Sequence, residues 1–110
     1  MGTGMEAEKE KLRTALDEAC IRVARWWILR CLDVARPATV HEEVLACFTQ
    51  QVVHDATLKE IRRHLDYLAK CGLVSTVGSN GNSFTVTAAG IDVVEYNAEC
   101  PPGIGRPTRV

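Results

Sequence analysis

The residues best placed to do chemistry are four cations within one short stretch. In Thr57-Leu58-Lys59-Glu60-Ile61-Arg62-Arg63-His64 and on to Lys70, apolar residues recur at helical spacing and the cations fill other positions. At about 100° per residue, Lys59, Arg63 and Lys70 project within about 40° of one another, away from the leucine-bearing side. Arg62 lies nearer that side's edge, and His64 falls on the opposite flank. A cationic helix face of this kind can meet a polyanion such as double-stranded DNA. An Arg such as Arg63 can present two parallel donors to guanine O6 and N7. Thr57 and the open amides of the first turn can sit against a phosphate. Asn80 and Asn82, further along, can hydrogen-bond in a minor groove. The candidate DNA-contacting set is therefore Thr57, Lys59, Arg62, Arg63, Lys70, Asn80 and Asn82. Arg22, Arg25 and Arg30 add backbone contacts if they face the same side. The competing explanation is a merely solvated helix face, in which Arg62 and Asp66 satisfy each other at i,i+4.

Catalytic and metal chemistry find less support. No nucleophile sits in a Gly-x-Ser-x-Gly elbow, and no glycine-rich phosphate cradle is present, so no enzymatic centre is expected. His64 and Cys71 lie seven residues apart, about 10 Å along a helix and too far to share a zinc without further ligands. No metal or cofactor is expected. The five cysteines (Cys20, Cys31, Cys47, Cys71 and Cys100) form an odd set with no close pair. Three fall at apolar helical positions, where free cysteine acts as a small hydrophobe. They read as reduced thiols in a cytoplasm. The first residues lack the basic-then-apolar layout of a secretory signal, and no apolar run approaches the ~20 residues that cross a bilayer.

The formal net charge of −1 conceals local polarity. Residues 21–36 carry four Arg against one Asp, and residues 56–71 carry four Lys or Arg against two acids. Residues 37–55 and 72–100 hold no Lys or Arg. Any affinity for nucleic acid must come from a local face.

The elements that would position these groups follow from periodicity. Met5 to Ala35 reads as one long helix, with Leu12, Leu16, Cys20, Val23, Trp27, Cys31 and Val34 on a stripe. Ile21, Ala24, Ile28 and Ala35 widen it, and Pro37 ends it. So wide an apolar face on so long a helix has two explanations, a helix that simply wraps a small core or, the one preferred, a partner for its N-terminal half, most simply a second copy. Leu12, Leu16 and Trp26 are the candidate dimer contacts, with Trp27 assigned to the core. Thr39-Val40-His41-Glu42 has the form of a capping box and opens a short helix to about Gln50, with Val40, Val44, Leu45 and Phe48 inward. Thr57 to Glu60 is a second capping box, opening a helix to Lys70 or Cys71 that Gly72 stops. Its inward residues are Leu58, Ile61, Leu65, Leu68 and Ala69. Leu73–Val77 and Ser83–Val86 are β-prone runs around Gly78-Ser79-Asn80-Gly81-Asn82, whose Asn-Gly pair suits a tight hairpin. Thr87 caps a last helix, about Ala88 to Tyr96, with Ile91 and Val94 inward. From Asn97 the Pro- and Gly-rich chain reads as an extended tail.

Three helices, a hairpin and a helix make a mostly α chain with a small antiparallel β-hairpin. The expected divisions are a long first helix over 1–36, a compact unit over 37–96 and a tail over 97–110. The run TLKEIRRHLDYLAKCGLV, Thr57 to Val74, resembles the recognition helix and first wing strand of ArsR- and MarR-type bacterial regulators. FTVTAAG, Phe84 to Gly90, is similar to their second wing strand and Thr-led final helix. The resemblance implies a winged helix-turn-helix and a transcriptional regulator working as a homodimer on duplex DNA. GIDVVEYNAECPPGIGRP, Gly90 to Pro107, is similar to the ending of small winged-helix proteins of Mu-like phages and prophages. That likeness implies phage origin and no enzymatic activity. It also admits a different role, as an adaptor binding a phage or bacterial protein without DNA. Regulators of this kind commonly carry Lys or Arg at the wing tip, and here the tip from Ser79 to Asn82 is neutral.

Overall fold

Thirty-three residues in one helix exceed what a body of this size covers, so α1 (Thr3–Ala35) divides along its length. The computed structural model describes residues 3–109. Residues 4–18 of α1 are exposed on every side, whereas Ala24, Ile28, Leu29 and Leu32 are fully buried. The helix is about 50 Å long at 1.5 Å per residue, close to the molecule's longest dimension of 57 Å.

Leu12 and Leu16, the candidate partner contacts, are open, and so is Trp27, against its assignment to the core. Leu12 and Leu16 are each 64% exposed, Val34 is 76% and Trp27 is 36%. The core instead uses the neighbouring arc of Ala24 and Ile28, extended by Leu29 and Leu32. The two tryptophans exchange roles for the same reason. Consecutive helix positions differ by about 100°, and Trp26 points to the side filled by the end of the chain. It is buried and meets Tyr96 edge-on, with ring centroids 6.3 Å apart. Trp26 is therefore not a dimer contact; Trp27 is the exposed ring.

A two-residue strand, β1 (Val40–His41), stands where a capping box was expected. Thr39 caps nothing. The N-cap of α2 (Glu42–Gln50) is His41, whose Nδ1 accepts the Glu43 amide at 3.2 Å. Leu45, Ala46 and Thr49 are the inward residues of α2; Val44 faces outward. The second cap forms at Thr57, with the Glu60 carboxylate on the Thr57 hydroxyl in place of the Thr57 amide. Thr57 Oγ1 accepts the Glu60 amide at 3.2 Å and donates to the Glu60 carboxylate at 3.1 Å, opening α3 (Leu58–Lys70). Ile61, Leu65 and Leu68 form its buried ridge, while Ala69 is exposed. Gly72, at φ 76°, supplies the left-handed residue after α3. The Leu73 amide then reaches back to the Leu68 carbonyl at 3.0 Å, the six-to-one closure of a glycine-stopped helix.

Strands β2 (Val74–Val77) and β3 (Ser83–Val86) pair antiparallel, with Val74 opposite Val86 and Val77 opposite Ser83. Their connection is a five-residue loop, not a tight two-residue turn. Positive φ falls on Gly78 (90°) and Gly81 (66°), and Asn80 keeps an ordinary φ. β1 adds to the other edge of β3, with Val40 opposite Phe84, giving the order β1-β3-β2. The architecture is thus mostly helical with a small three-stranded antiparallel sheet.

Thr87 caps α4 (Ala88–Val94), accepting the Gly90 amide at 3.1 Å and donating to the Gly72 carbonyl at 2.6 Å. Gly90 lies so close to the Leu73 carbonyl that a Cβ there would collide with it. Val93 and Val94 are buried, Ile91 is half-buried, and Tyr96 at φ 63° turns the chain away. Residues 97–109 have no regular structure, in keeping with their prolines and glycines, but they do not extend freely. The Gly105 amide donates to the Arg22 carbonyl at 2.8 Å, and Ile104 is 5% exposed within the core. Arg106 Nη1 donates to the carbonyls of Val93 (3.0 Å) and Ala98 (2.8 Å). Among the described residues no helix is long and apolar enough to cross a membrane.

Candidate nucleic-acid interface

α3 has one buried side and one open side, and its four cations, all exposed, differ in whether a carboxylate already holds them. Lys59 and Arg63 are exposed, and neither makes an ion pair among the described residues. Both stand near the Thr57 cap, where α3 begins and Thr57 occupies the Glu60 amide, leaving those of Leu58 and Lys59 outside the helix ladder. These two residues and Thr57 are the part of the expected set that the fold brings together on one open surface.

Arg62 is engaged elsewhere. Its Nη2 meets Glu42 Oε1 at 2.8 Å and its Nε meets Oε2 at 3.1 Å, a bidentate clasp between α3 and the start of α2. Glu42 is 5% exposed, so the guanidinium supplies what water would otherwise supply to a buried carboxylate. Hydrogen bonding from Arg62 is the main cause holding the Glu42 carboxyl below the usual range, against the opposing effect of burial. The same contact raises Arg62 further above its ordinary value. The anticipated Arg62–Asp66 pair is replaced by another. Asp66 meets Lys70 Nζ at 3.0 Å, on open surface where such a bridge is weak. Lys70 can leave Asp66 for a phosphate at little cost, whereas Arg62 leaves a buried carboxylate behind.

Asn80 and Asn82 do not act alike. Asn80 is exposed at the loop tip. Asn82 is half-buried, and its carbonyl accepts the Glu42 amide at 2.8 Å, tying the loop's end to the first turn of α2. A cleft of about 300 Å³ runs between α3 and the hairpin, lined by Glu42, Arg62, Asp66, Thr76 and Asn82 among others.

Arg25 lies apart from this surface. Its guanidinium stacks 3.9 Å from the Tyr67 ring centroid, donates to His64 Nδ1 at 3.3 Å and to the Gly103 carbonyl at 3.2 Å. His64, on the flank opposite Arg62, is 5% exposed. Burial, and after it the neighbouring Arg25 charge, lowers its pKa below the ordinary histidine value. This cluster joins α1, α3 and the chain's end; it is structural. Arg30 stands 5.9 Å from the Trp26 ring centroid, on the first helix and exposed.

No protein-family model matches this chain, and no curated protein or solved structure is significantly similar to it. The site must be read from its own geometry. Among the described residues no group of three or more His, Cys, Asp or Glu side chains is placed to hold a metal. The cysteines are all free thiols, and burial raises the pKa of Cys31 and Cys100 above the ordinary value, which disfavours reactive thiolate there. The residues that sequence reasoning missed are Glu42 and Arg25. Glu42 carried a signal of sorts, an acid at a helix start, but nothing local tied it to Arg62 twenty positions later.

Proposed function

We propose that the chain is a non-catalytic winged helix-turn-helix protein of bacterial or phage origin that binds double-stranded DNA as a transcriptional regulator. On this reading α3 is the recognition helix, α2 the helix that precedes it, and the β2–β3 hairpin the wing. The observation that carries it is the pair Lys59 and Arg63, exposed at the N-terminal half of α3 beside a capped, open first turn. That is the part of such a helix that reaches base edges and phosphates. Lys70 is a third, displaceable cation on the same face. Arg62, clasped to Glu42, and Asn82, bonded to the start of α2, hold the shape of α2 and the hairpin, and Asn80 remains at the tip.

The test is binding to random duplex DNA as a function of salt. A DNA-binding protein loses affinity steeply as salt rises, because phosphate contacts release counterions. The double variant Lys59→Glu/Arg63→Glu should abolish binding while leaving the thermal midpoint close to that of the parent. No binding by the parent even near 50 mM salt would refute the reading.

A second reading is a winged-helix adaptor for a phage or bacterial protein. The observation in its favour is that two of the four α3 cations are already matched by carboxylates, and the hairpin tip carries no charge. In that case Lys59→Glu/Arg63→Glu leaves assembly untouched.

A further inference from the structure

The apolar stripe on α1 runs the length of the helix on the side opposite the core, and its two ends differ in kind. At the N-terminal end Met5 (68% exposed), Leu12 and Leu16 stand on a bare rod with no other element beside it. At the C-terminal end Trp27, Cys31 and Val34 form one wall of an apolar groove of about 490 Å³ whose other wall is Val44 and Phe48 of α2. One end is a ridge without a groove, the other a groove without a ridge.

We propose that a second copy of this chain fills the groove: α1 pairs with its twin in antiparallel fashion, each laying its Met5–Leu16 ridge between the other's Trp27, Val34 and Val44. Three observations select this occupant. The first is spacing. Met5 and Val34, Leu12 and Trp27, and Leu16 and Val23 are each equidistant from the midpoint between Ala19 and Cys20. A two-fold axis through that midpoint therefore sets apolar opposite apolar at these three levels, as a self-complementary contact requires. The second is charge. Up to Cys20 the helix carries five acids against three bases, and from Ile21 to Arg36 four Arg against one Asp. Antiparallel pairing sets the acidic half of one copy beside the basic half of the other. A parallel pair would stack like on like. Glu8 and Arg30, flanking the stripe on the same side, become neighbours across the axis. The third is scale. Leu12 and Trp27 are 15 residues apart, about 22 Å along the axis, so the ridge reaches the groove without any change in the helix.

The arrangement replaces Trp26 by Trp27 as the interface ring. It stands independently of the DNA-binding reading, because none of its residues lies on α3.

The experiment is solution mass of the full chain by sedimentation or light scattering at micromolar concentration. The parent should have the mass of two chains, and Leu16→Glu, at a site exposed in the single chain, the mass of one with an unchanged helical spectrum. Orientation is read from charge reversal. Glu8→Arg and Arg30→Glu should each weaken dimerisation, and the double variant should restore it toward the parent. A monomeric parent overturns the proposal, as does a Leu16→Glu variant that stays dimeric. A double variant weaker than either single change overturns the antiparallel order. Loss of DNA binding by Lys59→Glu/Arg63→Glu with the dimer intact would leave the proposal standing, so the two readings fail separately.

Discussion

Arg62 and Glu42, twenty positions apart, clasp each other through two contacts of 2.8 and 3.1 Å, with the carboxylate buried and the guanidinium partly open. The pair binds α3 to the first turn of α2 and so fixes the surface on which Lys59 and Arg63 stand. Removing the cation strands a buried anion; removing an exposed cation on the same helix does not.

Arg62→Ala should therefore lower the thermal midpoint by several degrees, whereas Lys70→Ala, which breaks only the open Asp66 bridge, should change stability by less than about 0.5 kcal/mol. Thermal unfolding of the two variants side by side makes the comparison. Equal effects would show that the clasp contributes no more than a surface pair.

Acid should destabilise the fold in two stages. The His64 pKa is lowered by burial and by Arg25, so the unfolded chain takes up a proton before the folded one does. Stability is full above the ordinary histidine value of 6.5 and declines as the pH falls from there toward the lower, folded value. Glu42 behaves in the same sense further down, its contribution present above the ordinary carboxylate value of 4.5 and lost below it. Denaturant midpoints measured from pH 8 to pH 4 should show the first decline in the parent and not in His64→Gln.

Gly90→Ala should destabilise by roughly 1–3 kcal/mol, the usual cost of forcing a methyl group into packed space. The new Cβ meets the carbonyl of Leu73, the residue just before β2, so α4 must shift away from the sheet. Gly4→Ala has nothing near its Cβ and serves as the control, with a midpoint unchanged or slightly raised. A tolerated Gly90→Ala would mean that α4 is less tightly seated than its geometry indicates.

Trp26→Ala and Trp27→Ala separate the core from the interface. The first should cost about 3–5 kcal/mol, as deletion of a buried aromatic does. The second should change monomer stability by no more than about 1 kcal/mol and weaken self-association instead. Chemical denaturation at low concentration, paired with sedimentation at higher concentration, distinguishes the two.

Much of the local structure was legible because its signals are local. The Thr57–Glu60 cap, the leucine ridge of α3, Gly72 as its stop and Thr87 as the start of α4 all lie within a few residues of what they control. The outward placement of Lys59 and Arg63 followed from that ridge. What stayed hidden depends on distant partners. Val40–His41 is too short to announce itself and becomes a strand only because β3 offers an edge more than forty residues later. The side of α1 that meets the core could not be chosen from periodicity, since both arcs are apolar and only the packing of α2, α3 and α4 decides between them. The burial of His64 was not legible because nothing on α3 foretells Arg25 closing over it from α1. Arg62 was the costliest miss at the candidate site, a cation counted toward DNA that is spoken for by Glu42.

The contact between Arg25 and the Gly103 carbonyl spans 78 positions, and Gly105 fastens to Arg22 beside it. The stretch that seats Ile104 is thus a latch made from residues that follow the last helix. A chain clipped near Asn97 would have every helix and strand and still leave an oily patch open to neighbours. Proteolytic trimming there should show first as clumping, before any change in helix content.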